Sequence, residues 1–377
     1  MDRKQEVLRQ LRETGSYVSG QQLCETLGVS RTAVWKIIKK LKEEGYPIEA
    51  VTNKGYRLLS VEGKDLFNKE ELERRLQTRW AGRPMIFSEE TGSTNADIFR
   101  LSEQDYPQGT LAVTSKQTAG KGRRGRTWIS PPDVNVYMSI LLRPDFKPET
   151  APMLTLVMAL AVHRACEELY GGKGDGQPAD NSAELPGGDG KAFAGAEASS
   201  GGAGQPADGT EPCRFGIKWP NDIVVSARDG SWRKICGILT EMRMEEKEIR
   251  DIVIGIGINV NQAEFPEEIR ETAGSLALAL GHPVSRADLT AEVWKYFEEY
   301  YEVFEQARGL SPLREVYERA LVNRGKKVRV LDPESPYEGV ALGINEEGEL
   351  LVKPDDGSEV RQVGTGEVSV RGVMGYV

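Results

Sequence analysis

The sequence predicts an α+β protein in three parts: a winged helix-turn-helix over residues 1–63, a central mixed β-sheet with helices over 64–323, and a small β-barrel over 324–377. Three observations carry this. Residues 1–60 hold 11 Lys and Arg against 7 Asp and Glu, while the rest of the chain holds 38 against 51, so a basic head sits on an acidic body. The middle of the chain alternates strand-like and helix-like stretches, with several strands following one another directly, which favours a mixed sheet over a doubly wound parallel one. The end of the chain is a series of short strands separated by Gly, Pro and Asp turns.

In the head, Val7, Leu8 and Leu11 fall on one helical face, and Gly15 ends that helix. Ser19 followed by Gln22 forms a capping box for a second helix carrying Leu23 and Leu27, and Gly28 stops it. Ser30 caps a third, whose buried stripe is Val34, Ile37, Ile38 and Leu41. The short "GVS" turn imposes the steep crossing of a helix-turn-helix, leaving Arg31, Thr32, Trp35, Lys36 and Lys39 on the outward side of the recognition helix. The stretches "IEAV" and "YRLL", joined by "TNKG", form a hairpin bearing Lys54 and Arg57, where a wing would sit. Helix starts, basic outer face and basic hairpin agree on DNA binding, against the alternative of a helical protein-interaction module.

In the body, "TLAVTS", "NVYMSILL", "FGIKW", "DIVVS", "KICGILTEM" and "DIVIGIGINV" read as strands, and 149–170 and 288–307 as helices. Residues 171–212 contain 12 glycines and 4 prolines and repeat "GQPAD", so they cannot bury enough surface to offset their ordering entropy and are expected to be a disordered insert without chemistry of its own. In the tail, "KKVRVL", "YEGVALGI" and "GELLVK" read as strands of the barrel.

The composition excludes several classes. The longest apolar run, "MLTLVMALAV", ends at His163 and Arg164, short of the roughly 20 residues that span a bilayer. The start "MDRKQEVLRQ" lacks the form of a signal peptide. Four scattered cysteines, Cys24, Cys166, Cys213 and Cys236, suit a reducing cytoplasm better than a zinc site or disulfide framework. His163 and His282 are too isolated for a triad or metal cluster, and no metal-ligating set is expected from the chain itself.

The stretch "QTAGKGRRGRTW", residues 117–128, partly matches both a dinucleotide fingerprint and a P-loop. Both motifs require a helix directly afterwards, whereas "TWISPP" follows, and Pro131 and Pro132 argue against a long helix there. What remains is a glycine-rich loop with four cations in six residues, Lys121, Arg123, Arg124 and Arg126, expected to be mobile when empty and to order around a polyanion. A solvated basic loop or a second nucleic-acid patch are the alternatives. "GSTN" at 92–95 offers two hydroxyls and an amide at a helix start, or simply an N-cap. "KWPND" puts Asn221 and Asp222 in a tight turn. Lys234 opens the apolar "KICGIL" strand, where a lysine is costly without an anion. "GIGIN" puts Gly255 and Gly257 on one strand face, open to a flat ligand, with Asn259 beyond.

Together, and in this order, these motifs resemble those of the biotin protein ligases, and the head resembles the bifunctional form that also represses transcription. The resemblance spans nearly the whole chain outside 171–212. It implies a class II synthetase-like ligase fold, an SH3-like C-terminal barrel, and formation of biotinyl-5'-AMP from biotin and ATP, with Mg2+ as the ATP counterion. It also implies transfer of biotin to a lysine of a biotin carboxyl carrier protein domain, binding to operator DNA, and a homodimer when biotinyl-AMP is bound. Residue by residue, it places Lys234 between the biotin carboxylate and the α-phosphate, with Arg123 and Arg126 clamping phosphate. Ser93, Thr94, Asn95, Gln117, Gly120, Lys121 and Gly122 fall to biotin, Trp128, Gly255 and Gly257 to the walls around its bicycle, and Asn221, Asp222, Asn259 and Arg371 to the nucleotide. Lys121 stands where such proteins commonly have Arg, which keeps charge but loses bidentate geometry and would alter retention of the adenylate. A lipoate-type acyl-AMP ligase and a non-catalytic biotin-sensing regulator are the rival readings.

Overall fold

The computed structural model describes residues 3–171, 213–227, 229–332, 334–365, 369–373 and 375–377. The expected insert falls, from 172 onward, outside the described residues. Two compact units are present, one comprising residues up to Arg75 with Val284–Asp288, the other Leu76–Pro283 with Leu289–Val377.

The first unit contains α1 (Arg3–Thr14), α2 (Gly20–Leu27), α3 (Arg31–Glu43), the antiparallel strands β1 (Ile48–Val51) and β2 (Gly55–Leu58), and α4 (Lys69–Arg75). Both expected caps are made: Gln22 N–H donates to Ser19 Oγ at 3.1 Å and Ala33 N–H to Ser30 Oγ at 3.3 Å. Gly28 closes α2 in the left-handed region at φ 62°, which permits the abrupt turn into α3. Val7, Leu8, Leu11, Leu23, Val34, Ile38 and Leu41 form the core, with Leu27 and Ile37 at its margin. Beyond the expected elements lies α4, whose Glu71 has a fully buried side chain. Arg12, Arg74 and Arg75 pair with it, and Tyr46 Oη donates to it at 2.9 Å. Burial works against that charge, yet the hydrogen bonds from Arg75, Arg12 and Tyr46 hold its carboxyl at about 2.

The second unit is built on a seven-stranded mixed sheet. Its strands are β3 (Met85–Thr91), β4 (Leu111–Gln117), β5 (Val136–Leu142), β6 (Phe215–Lys218), β7 (Asp222–Ser226), β8 (Trp232–Glu245) and β9 (Glu248–Ile258), in the order β3-β4-β5-β9-β8-β7-β6. Only β3 and β4 pair in parallel. Helix α5 (Thr94–Ser102) packs on β4, β5 and β9, and α6 (Leu154–Tyr170) packs across β6 to β9. The α6 sequence is apolar almost all round because it is covered almost all round, from Leu154 to Cys166. A 3-10 turn at Pro148–Met153 leads into it, so the helical stretch read from 149 begins as α-helix at Leu154. Helices α7 (Leu276–Leu280), α8 (Arg286–Ala307) and α9 (Ser311–Ala320) follow. The expected strands are all present, with β3, α7 and α9 added. Among the described residues no helix is long and apolar enough to cross a membrane.

The tail forms a five-stranded antiparallel sheet of β10 (Lys327–Leu331), β11 (Tyr337–Ile344), β12 (Leu350–Pro354), β13 (Arg361–Val363) and β14 (Ser369–Gly372), ordered β13-β12-β11-β10-β14. Among the described residues no ladder joins β13 to β14, so the sheet is open where a closed barrel was expected. Trp219 ties this sheet to the ligand-facing turns: its ring N–H donates to Gly348 O at 2.9 Å, and its backbone N–H to Asn323 Oδ1 at 2.9 Å.

The Glu71 carboxyl sits below the ordinary glutamate value of 4.5, so the stability it contributes is complete above about pH 5 and is lost as pH falls toward 2. Glu71→Gln is expected to cost the first unit on the order of 3 kcal/mol at pH 7 and to flatten its acid unfolding over that window. Urea titrations at pH 7 and pH 3 measure both.

Candidate functional site

Parallel pairing of β3 and β4 brings their C-terminal ends together, with Thr91 opposite Gln117. The "GSTN" turn and the basic loop therefore leave the sheet side by side, joined by Thr118 N–H to Thr91 O at 2.9 Å and Ala119 N–H to Gly92 O at 2.8 Å. Ser93 occupies the N-cap position of α5, but its hydroxyl makes no capping bond and borders the cleft. The Thr94 N–H donates to Gln117 Oε1 at 3.0 Å, and Thr94 Oγ1 lies 3.2 Å from the same oxygen. The other end of that amide, Gln117 Nε2, donates to Ser130 Oγ at 3.2 Å.

The basic loop has its own hydrogen-bonded frame. Trp128 N–H donates to Gly120 O at 2.9 Å, Lys121 bridges Thr127, and Gly122 N–H donates to Arg126 O at 2.7 Å, with Arg123–Gly125 as a 3-10 turn at the tip. No long helix follows, as the sequence required. A Cβ at Gly120 would stand 2.6 Å from Trp128 O and 2.8 Å from Ser130 Oγ, so this position tolerates no side chain. Arg123 reaches across to Asn221 Oδ1 at 3.1 Å and to Thr365 O. Burial pulls its guanidinium below arginine's usual range, with Asp222 acting in the opposite sense.

Across the cleft, β7 and β8 pair with Asp222 opposite Gly237 and Val224 opposite Lys234, a register shift that leaves Ile235 as an extra residue. In an unbroken strand Lys234 and Gly237 would point to opposite faces; the bulge puts them on the same one. Lys234 consequently pairs with Asp222 and lies 5.2 Å over the Trp128 ring. Asp222 also takes a hydrogen bond from Tyr376 Oη at 2.6 Å and faces Lys218 Nζ at 3.7 Å. Burial disfavours its charge, but Lys234, Lys218 and Tyr376 hold the carboxyl below the usual carboxylate range. Lys218, itself buried and 4.3 Å over the Tyr376 ring, is pushed below lysine's usual range by burial, against the pull of Asp222.

These groups line one cleft of about 940 Å3, large enough for two small ligands. Arg126 and Arg371 border it as well. Gly255, Gly257 and Asn259 border the cleft too. The space over Gly255 is filled by the Asn95 carboxamide, and that over Gly257 by the Trp128 indole, because a Cβ at either glycine would collide with those groups. Asn259 Nδ2 donates to Gly274 O at 3.1 Å. Gly237, Lys218, Ser139 and Tyr376 were not singled out beforehand. Gly237 faces Gly257 across β8 and β9, and together they form the slot under Trp128. The apolar strand around Ser139 and the apolar approach to Lys218 were the available signals for those two.

In the first unit, Arg31, Thr32, Trp35, Lys36 and Lys39 are exposed on α3, with Trp35 53% exposed and Lys39 Nζ 5.7 Å from its ring. Arg31 accepts help from Gln21, donating to its Oε1 at 3.0 Å. Lys54 and Arg57 of the hairpin flank the Tyr17 ring at 5.7 and 5.0 Å, and Arg57 also bonds Glu49 at 3.0 Å. An exposed basic helix beside a basic hairpin suits a duplex groove and its phosphates.

The sequence matches the biotin/lipoate A/B protein ligase family over 87–259, an HTH domain over 3–57, and the biotin protein ligase C-terminal domain over 325–371. With the relatives below, this places the chain in the biotin protein ligase family. More particularly, the bifunctional ligase/repressor BirA of Bacillus subtilis is 36% identical over 343 residues, covering 90% of each chain. BirA of Escherichia coli is 28% identical over 360 residues, covering 95% of this chain and 94% of its own. Among solved structures, the biotin protein ligase from Aquifex aeolicus in complex with biotin and ATP is similar at a TM-score of 0.57 and 27% identity, covering 76% of this chain and 98% of that one.

Replacing Asp222 by Asn leaves Lys218 and Lys234 facing each other without a counter-charge. Such a change is expected to destabilise the second unit by about 3 kcal/mol, read as a lower urea midpoint, with part of the loss recovered when phosphate is added.

Proposed function

We propose that this chain is an ATP-dependent biotin protein ligase that also binds operator DNA as a biotin-responsive repressor. The observation that carries the reading is Lys234, held by a β-bulge on the cleft face between Asp222 and the Trp128 ring, with Arg123 reaching in from the opposite side. Two anions, a carboxylate and a triphosphate, can approach one another only where cations neutralise them both. Lys218, Lys234 and Arg123, with Arg126 and Arg371 at the border, supply that excess of positive charge around the buried Asp222 carboxylate.

In the first step a biotin carboxylate oxygen forms a bond to the α-phosphorus, the bond to the β-phosphate oxygen breaks, and pyrophosphate leaves. Lys234 exchanges its Asp222 partner for the two reacting anions, and Arg123 and Arg126 hold phosphate and shield the adenylate from water. In the second, a lysine amine of a biotin carboxyl carrier domain attacks the biotinyl carbonyl and AMP departs with the bonding electrons. Ser93, Thr94, Gln117 and the backbone of Gly120, with Lys121 and Gly122 beside them, receive the ureido ring. Trp128 and Gly257 wall the bicycle, and Asn221 and Asn259 frame the nucleotide. Magnesium enters with ATP: among the described residues no group of three or more Asp, Glu, His or Cys converges, which fits an ion held chiefly by phosphate oxygens.

Residues 1–63 form the operator-binding head, 64–323 the ligase body and 324–377 a tail sheet that adds Arg371. One head covers a half-site, so repression uses a homodimer formed when biotinyl-AMP is bound. A reducing cytoplasm suits its free thiols.

Lys234→Ala is expected to lower biotin-dependent ATP–pyrophosphate exchange by about 100-fold or more in protein that circular dichroism shows to be folded; near wild-type exchange would remove Lys234 from this role. Lipoate in place of biotin should give no exchange. Arg123→Gly is expected to release biotinyl-AMP into solution, detected as biotinylation of lysines on a bystander protein, and tight retention would argue against the clamp.

A further inference from the structure

Behind the Thr94 end of the cleft lies a buried polar chain that no step above uses. Ser139, fully buried on β5, places its Oγ 2.6 Å from Thr94 Oγ1 and 2.6 Å from Asn95 Oδ1. The Asn95 amide lies over Gly255, whose strand neighbours are Ser139 on one side and Leu239 on the other. Its Nδ2 donates to Glu241 Oε2 at 2.6 Å and points toward Leu239 O at 3.5 Å.

Counting hydrogens along this chain fixes its direction. A carboxylate and a backbone carbonyl only accept, so the Asn95 NH2 must face Glu241 and Leu239, and its Oδ1 must face Ser139. Oδ1 cannot donate, so Ser139 spends its one hydrogen on Asn95. The 2.6 Å contact between Ser139 Oγ and Thr94 Oγ1 then has a hydrogen in it only if Thr94 donates. The longer approach of Thr94 Oγ1 to Gln117 Oε1 is not needed, because Gln117 Oε1 already accepts the Thr94 backbone N–H. Thr94 thus has no hydrogen left for the cleft and turns only lone pairs toward it.

We propose that Glu241 is a specificity-determining positioning residue which, through Asn95 and Ser139, locks the Thr94 hydroxyl as an acceptor and so selects a ring bearing N–H at that point over one bearing an oxygen or other acceptor. The inference rests on the reading of this cleft as the biotin site and adds to it the reason a cyclic urea, rather than a cyclic carbamate, is recognised. An acceptor in the ligand would meet the Thr94 lone pairs with no hydrogen between them, a buried mismatch. Glu241, Asn95 and Ser139 themselves need not touch the ligand.

The test is titration calorimetry of the full chain with biotin and with the two cyclic carbamates in which one or the other ureido N–H is replaced by ring oxygen, alongside pyrophosphate exchange. Wild type should bind biotin and disfavour one of the carbamates by about 30-fold. In Ser139→Ala the Thr94 hydrogen is released, so biotin should bind about tenfold more weakly while most of the discrimination disappears. Glu241→Leu should behave the same way because the Asn95 amide can then turn over. Glu241→Gln still offers an acceptor oxygen and should restore the preference. Thermal melts establish that each variant is folded. Folded Ser139→Ala and Glu241→Leu proteins that keep the wild-type preference would overturn the relay while leaving the ligase reading intact. A wild type that shows no biotin-dependent exchange would overturn both.

Discussion

The cleft of the second unit is organised around one electrostatic constraint: the buried carboxylate of Asp222 is surrounded by Lys234, Lys218 and the Tyr376 hydroxyl. Desolvated lysines are tolerable only because this anion is there, and the anion is tolerable only because the lysines are. The arrangement is balanced for a protein waiting on anionic ligands, since the cations outnumber the carboxylate and Arg123 adds another across the cleft. Arrival of a carboxylate and a triphosphate would change which anions the cations face without creating an unpaired charge. Tyr376 carries the consequence to the end of the chain, because burial and the neighbouring Asp222 charge raise its hydroxyl well above tyrosine's usual range and keep it a donor to Asp222.

The sheet determines where these charges stand. Parallel β3 and β4 deliver the two ligand-facing loops from the same end, and antiparallel β8 and β9 place Gly237 opposite Gly257 so that an indole can lie flat on the backbone. A second pair of contacts, Asn95 over Gly255 and Ser139 beside it, supplies the polar end of the cleft. Apolar slot and oriented polar end are the two properties a small bicyclic urea requires. Trp219, bonded to both Asn323 and Gly348, holds the turn before Asp222 against the tail sheet.

Much of this was legible along the chain. The head could be read because its signals are local: a serine cap binds an amide three residues away, a glycine ends a helix where it stands, and the apolar stripe repeats every turn. Strands such as β5 and β7 were legible because both their faces are buried and their sequences are almost continuously apolar. Elements with weaker local signals, β3, α4, α7 and α9, were missed. The tail strands were found, but whether their sheet closes depends on which strands become neighbours, and alternation within each strand is silent on that.

For the cleft, the amino-acid sequence by itself determined the chemistry available: four cations on a glycine loop, a lysine at the head of an apolar strand, an Asn-Asp turn and a glycine-alternating strand. Tertiary structure decided the use of each. Lys234 joins the site because a bulge at Ile235 turns it to the face of Gly237, and a bulge is a mismatch between two strands that neither strand reveals alone. Gly255 and Gly257 were read as room for a ligand, yet Asn95 and Trp128 occupy that room, since what fills a missing side chain comes from elsewhere in the chain. The direction of the Thr94 hydroxyl is set by Glu241, 147 positions away, because a hydrogen can be assigned only once every neighbour that might share it has been brought within 3 Å or so.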